Sequence, residues 1–216
     1  MNYTRRVKTF GFIDLNKPSG CSSAVFVGKI KRLTGQPCGH LGTLDPLASG
    51  VLPIGIGNAN RLFNYFLNKD KEYIARFKFG ETSDTLDSTG KIETGGEVPS
   101  ETEIMSVLPD FRGEIEQVSP KYSAKSVGGR RGYALARAGV EFSLAPKRVR
   151  VDCFELVGRG ESENEFEFKI RCGAGTYIRS LARDLAAALD TQGLMSALVR
   201  TKSGCFTIEN AVSPEE

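Results

Sequence analysis

No run of about 18 apolar residues, the length a membrane-spanning helix needs, occurs in the chain, and no apolar stretch of a secretory leader follows the charged opening MNYTRRVKTF. A cytoplasmic protein with no membrane partner is therefore expected. Histidine is nearly missing as well: His40 stands alone. The five cysteines (Cys21, Cys38, Cys153, Cys172, Cys205) are scattered and form no C-x-x-C pair. Their spacing excludes a disulfide framework and a structural zinc site, so no metal is expected. No internal repeat, low-complexity tract or long linker interrupts the sequence, and residues 1–216 are expected to form a single domain. A content of 40% hydrophobic and 25% charged residues separates the chain from disordered and fibrous proteins.

What is present is unevenly placed. The net charge is only +3, but residues 81–116 hold ten acids and two bases, whereas residues 121–150 hold eight bases and the single acid Glu141. A basic stretch that also carries Tyr122 and Tyr133 suits a surface that follows phosphates and offers rings for stacking; a merely solvated basic face is the plainer alternative.

Periodicity gives the elements. Residues 11–15 read as a short strand, followed by a turn and a helix capped by Ser22 or Ser23, with Phe26, Ile30 and Leu33 on its buried face. Residues 51–56 read as a strand, and a helix from Asn58 is expected to bury Ala59, Leu62, Phe63 and Phe66. In residues 72–79, Tyr73, Ala75, Phe77 and Phe79 alternate with Glu72, Ile74, Arg76 and Lys78, the period of a strand with one buried face. Ser100 and Glu103 make a capping box. Strands are expected over 149–157 and 165–172, then an amphipathic helix built on Ile178, Leu181, Ala182, Leu185 and Leu189. Without regular βαβ alternation, the expected class is α+β with a mixed, mainly antiparallel sheet.

The densest segment is Gly39-His40-Leu41-Gly42-Thr43-Leu44-Asp45-Pro46-Leu47-Ala48-Ser49-Gly50-Val51-Leu52-Pro53. Its glycines and prolines make a loop that places one histidine and one carboxylate ahead of a buried strand. Taken alone, Asp45 would read as a turn residue bonding backbone amides. The segment nonetheless resembles the signature of the tRNA pseudouridine synthase B family, G-H-x-G-x-L-D-P-x-A-x-G-x-L-P, at every fixed position. Leu15-Asn16-Lys17-Pro18-Ser19-Gly20, Lys71-Glu72-Tyr73, Tyr122-Ser123-Ala124, Gly173-Ala174-Gly175-Thr176-Tyr177-Ile178-Arg179-Ser180-Leu181 and Leu198-Val199-Arg200-Thr201 are similar to the family's other blocks, in the same order.

The resemblance implies the pseudouridine synthase fold and conversion of uridine 55 in the T-loop of tRNA to pseudouridine without a cofactor. It implies Asp45 as the indispensable carboxylate, as nucleophile or as base, with Arg179 as its cationic partner. It implies that Tyr73 stacks on the target base and is available for proton exchange, that Tyr177 and Leu198 complete the uracil pocket, and that His40 packs against the flipped nucleotide. On spacing alone, Tyr73 and Leu198 would be core residues, Arg179 a surface arginine and His40 a solvated histidine. Residues 121–150 would grip T-arm phosphates, which positions the RNA rather than specifying its sequence. A monomer with no obligate protein partner is expected.

The chain departs from the family in places. Ser119-Pro120 stands where Pro-Pro is usual, and Ser126 stands at the usual lysine with Lys125 one place earlier. Leu41 replaces the threonine of some members. The family's C-terminal RNA-binding domain, of the PUA type, is expected to be missing after Glu216. The competing readings are a synthase acting on another RNA and a non-catalytic tRNA-binding or folding helper, which would have no need of Asp45, Tyr73 and Arg179 together.

Overall fold

The computed structural model describes residues 10–123, 126–127, 130–131, 135, 138, 140 and 142–215. Lys125, Tyr133 and Ala124 of the basic section lie outside the described residues, and Ser126 is described by its backbone only. In chain order the elements are β1 (Gly11–Lys17), α1 (Ser23–Thr34), β2 (Cys38–His40), β3 (Ser49–Ile56), a 3-10 segment (Gly57–Leu62), α2 (Phe63–Leu67), β4 (Lys71–Phe79), β5 (Glu81–Ser83) and β6 (Ile92–Thr94). There follow α3 (Glu101–Val107), a second 3-10 segment (Leu108–Phe111), β7 (Gly113–Gln117), β8 (Ser126–Val127), β9 (Arg130–Arg131), β10 (Lys147–Arg159), β11 (Glu165–Cys172), α4 (Ile178–Ala188), β12 (Gly193–Ser203) and β13 (Phe206–Thr207). Among the described residues no helix is long and apolar enough to cross a membrane.

The chain divides into two compact units, one built from Met1–Glu72 with Val199–Glu216, the other from Tyr73–Leu198. In the first, β3 is the spine. It pairs antiparallel with β1 from Gly11↔Ile56 to Lys17↔Gly50. Its other edge is shared: β2 takes Ile54 to Ile56, and the end of β12 runs parallel to it at Val199↔Ser49 and Arg200↔Gly50. Gly50 adopts φ +95°, and a Cβ there would stand 2.3 Å from the Arg200 carbonyl oxygen, so this close approach requires glycine.

Helix α1 buries Phe26 and Ile30 as expected and ends on Gly35 in the left-handed conformation. Leu33, expected on the same face, is 76% exposed, because the helix stops one residue later and the chain turns away. The helix expected from Asn58 is a 3-10 segment followed by the short α2, and only Ala59 of its apolar set is buried. A tighter winding of about three residues per turn does not keep Ala59, Leu62, Phe63 and Phe66 on one stripe.

The second unit has the strand order β12-β4-β11-β10-β7, with β10 antiparallel to both β11 and β7. Strand β4 alternates buried and half-buried positions along its whole length. Phe77, Phe154 and Phe168 pack ring on ring, with centroids 4.9 to 6.1 Å apart, and none is exposed. Each such ring contributes about 2–3 kcal/mol by burial. Helix α4 turns Ile178, Leu181, Ala182 and Leu185 inward, and Gly193 lets β12 close on it: a Cβ there would lie 2.6 Å from that of Ala186. Strand β3 runs parallel to β12, whereas β1 and β2 on β3, β7 and β11 on β10, and β13 on β12 are all antiparallel. The α+β class with a mainly antiparallel sheet is therefore as the sequence indicated.

Candidate active site

Strands β2 and β3 form a hairpin, closed by a hydrogen bond from the Leu41 amide to the Pro53 carbonyl at 2.8 Å, whose loop carries Asp45. Each main-chain carbonyl from Gly42 to Leu47 accepts a hydrogen bond. Arg200 donates to Gly42 at 3.0 Å and to Thr43 at 3.3 Å. Ser23 Oγ donates to the Leu44 carbonyl at 2.8 Å and accepts from the Leu44 amide at 3.0 Å. The Asp45 carbonyl accepts from the Ala48 amide, and that of Pro46 from the Gly20 amide at 2.8 Å. Ser19 Oγ donates to Leu47 at 2.6 Å. A loop with its polar backbone satisfied this completely holds one conformation, which presents the half-buried Asp45 on a rigid support.

Lys17 adds a buried cation beneath the turn. Its ammonium donates to the carbonyls of Pro18 at 2.8 Å, Cys21 at 2.6 Å and Pro46 at 3.4 Å, and the side chain has no exposed surface. Burial lowers its pKa, opposed by Cys21 and by the Asp45 carboxylate. His40 ends β2, with Nε2 at 3.4 Å from Thr43 Oγ1. Burial lowers its pKa, opposed by a hydrogen bond with its own backbone and reinforced by the Arg200 guanidinium, which favours the neutral imidazole.

Tyr73, Tyr177, Arg179 and Leu198 belong to the second unit. Tyr73 and Leu198 are buried on β4 and β12, and Tyr177 immediately precedes α4. Arg179 is 5% exposed, which removes the surface reading. Nη1 donates to the Thr85 carbonyl at 2.9 Å, Nη2 donates to that of Tyr122 at 3.0 Å, and the Asp87 carboxylate lies at 3.6 Å. Asp87 is itself held by the hydroxyls of Thr85 and Thr89 and by the Thr89 amide. Sequence reasoning missed Asp87, one of ten acids in an apparently featureless acidic stretch. It also missed Gln117, whose buried amide bonds both main-chain groups of Tyr177. The pattern of the chain carries no signal for either.

Of the basic section, Lys121, Lys147, Arg148 and Arg150 are exposed, and Arg150 pairs with Asp152 at 3.3 Å. Among the described residues no group of three or more His, Cys, Asp or Glu side chains is arranged to hold a metal ion.

Comparison with known proteins agrees with the layout. The chain is 41% identical over 207 residues to a tRNA pseudouridine synthase B of Anaplasma phagocytophilum (strain HZ), covering 95% of this chain and 69% of that protein. It is 42% identical to the protein of that name from Synechocystis, covering 94% of this chain and 70% of the relative. Among solved structures, a chain in a Cbf5-Nop10-Gar1 complex superposes with a TM-score of 0.73 at 32% identity; the match covers 95% of this chain but only 53%, about half, of the other. Residues 31–178 match the model of the N-terminal domain of TruB family pseudouridylate synthases. With that match spanning most of its length, the chain belongs to the TruB family of pseudouridylate synthases.

Proposed function

We propose that the chain converts uridine 55 in the T-loop of tRNA to pseudouridine, with Asp45 carrying the chemistry. The reaction breaks the glycosidic bond at nitrogen, turns the uracil and rejoins it through carbon, so reactant and product have the same atoms and no oxidant is consumed. It requires an ionised group that can act on the sugar or the base and a pocket that keeps the detached base. The observation that carries the reading is the full match of residues 39–53 to the family's loop, together with the hydrogen bonds that fix that loop on both sides of Asp45. In this reading Arg179 is the cation that favours the charged carboxylate, Tyr73 stacks on the uracil, Tyr177 and Leu198 wall the pocket, and His40 packs against the flipped nucleotide. Turning the target base out of its stack costs a few kcal/mol, offset by these contacts.

The test is incubation with an unmodified tRNA transcript followed by chemical mapping of pseudouridine. Wild-type protein is expected to modify the T-loop uridine alone. Asp45→Asn keeps the shape of the side chain but is neither base nor nucleophile, so RNA affinity should stay within about threefold while turnover disappears. Substantial turnover by Asp45→Asn, or modification elsewhere in the RNA, overturns the assignment.

A further inference from the structure

Arg200 belongs to the Leu198-Val199-Arg200-Thr201 block, and the function proposed above uses it only as one of the donors to the loop around Asp45. It is 2% exposed, one of the largest fully buried side chains of the molecule. Its guanidinium is spent on three main-chain carbonyls: Nε donates to Val51 at 2.8 Å, Nη2 to Gly42 at 3.0 Å and Nη1 to Thr43 at 3.3 Å. Val51 lies on β3, whereas Gly42 and Thr43 lie on the loop that leads to Asp45. The contact falls where the edge of β3 passes from one partner to the other, from β12 at Gly50 to β2 at Ile54. Burying a guanidinium costs several kcal/mol unless its donors are satisfied, and an apolar side chain would fill the same space at lower cost. What an apolar side chain cannot do is hold two segments at a fixed spacing through a planar fork of donors.

We propose that Arg200 is a positioning residue for Asp45, clamping the loop to β3 so that the carboxylate meets the nucleoside in a single geometry. The proposal rests on the reading of Asp45 as the reacting group. Reaction rates are sensitive to such placement: a misplacement of about 1 Å lowers a rate roughly a hundredfold.

The experiment compares Arg200→Met and Arg200→Lys with wild type, measuring thermal unfolding, tRNA affinity, single-turnover rate at saturating tRNA, and hydrogen exchange of the Leu44 and Ala48 amides. Arg200→Met is expected to unfold cooperatively and to bind tRNA within about threefold of wild type, with a rate roughly a hundredfold lower and faster exchange at both amides. Arg200→Lys keeps the charge but not the fork, and should recover part of the rate and part of the protection. A folded Arg200→Met with wild-type turnover, or one whose only defect is weaker binding, overturns the proposal. If Arg200→Met does not fold, Arg200→Lys decides: wild-type rate and wild-type loop exchange refute the clamp. Failure of the underlying reading would look different, since wild-type protein would then form no pseudouridine while the loop amides still responded to Arg200.

Discussion

Asp14, on β1, has both carboxylate oxygens shut away from solvent. Burial dominates and pushes its pKa from 3.8 up to about 6, against the opposing effects of the Thr207 backbone and the Arg200 guanidinium. A carboxyl whose folded pKa is raised binds its proton more tightly when folded, so its penalty is absent at low pH and grows as pH rises from 3.8 through about 6. Asp14→Asn should remove that dependence. Denaturation midpoints measured at about pH 5 and about pH 8 should show the variant gaining more at the higher pH, by at most about 1 kcal/mol after allowance for partial exposure. An equal gain at both pH values would mean that the carboxylate is compensated in the folded state. The same scale shows what the sequence could and could not disclose. Asp45, Arg179, Tyr73, Tyr177, Leu198 and His40 were legible only as parts of a matched pattern. Arg200 stood in a matched block, but its carbonyl partners are remote in sequence, the Val51 contact being 149 positions apart in the chain. No local period encodes such a contact.

Strand β7 leads out of the sheet at Gln117, and there the chain is stitched to the start of α4. The Gln117 amide accepts from the Tyr177 amide at 2.8 Å and donates to its carbonyl at 3.1 Å. Ser180 Oγ and Arg183 both donate to the Val118 carbonyl, and Arg179 donates to that of Tyr122. Gln117→Ala strands two main-chain groups of Tyr177 and should cost about 2–3 kcal/mol in chemical denaturation. Because Arg179 sits two residues further along, turnover well below the melting temperature should fall as well, whereas a purely structural seam would leave it unchanged. Elements with a clean period were readable in advance: β4, β11, α4 and the capping box of α3. Strands β7 and β12 were not. The first hides its single half-buried apolar residue, Ile115, between exposed Glu114 and Glu116; the second buries consecutive residues Gly193, Leu194 and Met195, so neither shows alternation.

Across the whole molecule, charge is sorted by region rather than balanced locally. Asp45 is the only acid between Asp14 and Asp70, in company with Lys17, Lys29, Lys31, Arg32, Arg61 and Lys69, while ten acids crowd residues 81–116. Taken separately, the first stretch attracts a polyanionic substrate and the second repels it. Raising salt from about 50 to about 200 mM should weaken tRNA binding roughly a hundredfold if about four phosphates are neutralised, with turnover at saturating tRNA nearly constant. A change in affinity of less than about threefold would show that phosphates contribute little.

The unit that carries Asp45 draws on two separated segments, Met1–Glu72 and Val199–Glu216, whereas Tyr73–Leu198 is continuous. During synthesis the loop around Asp45, though translated early, lacks Arg200 until the segment Val199–Glu216 has been made. The discontinuous unit therefore cannot close before its second segment has been made. The ribosome delivers the carboxylate long before the arginine that fixes it, and the loop acquires its final form only once Arg200 has left the exit tunnel.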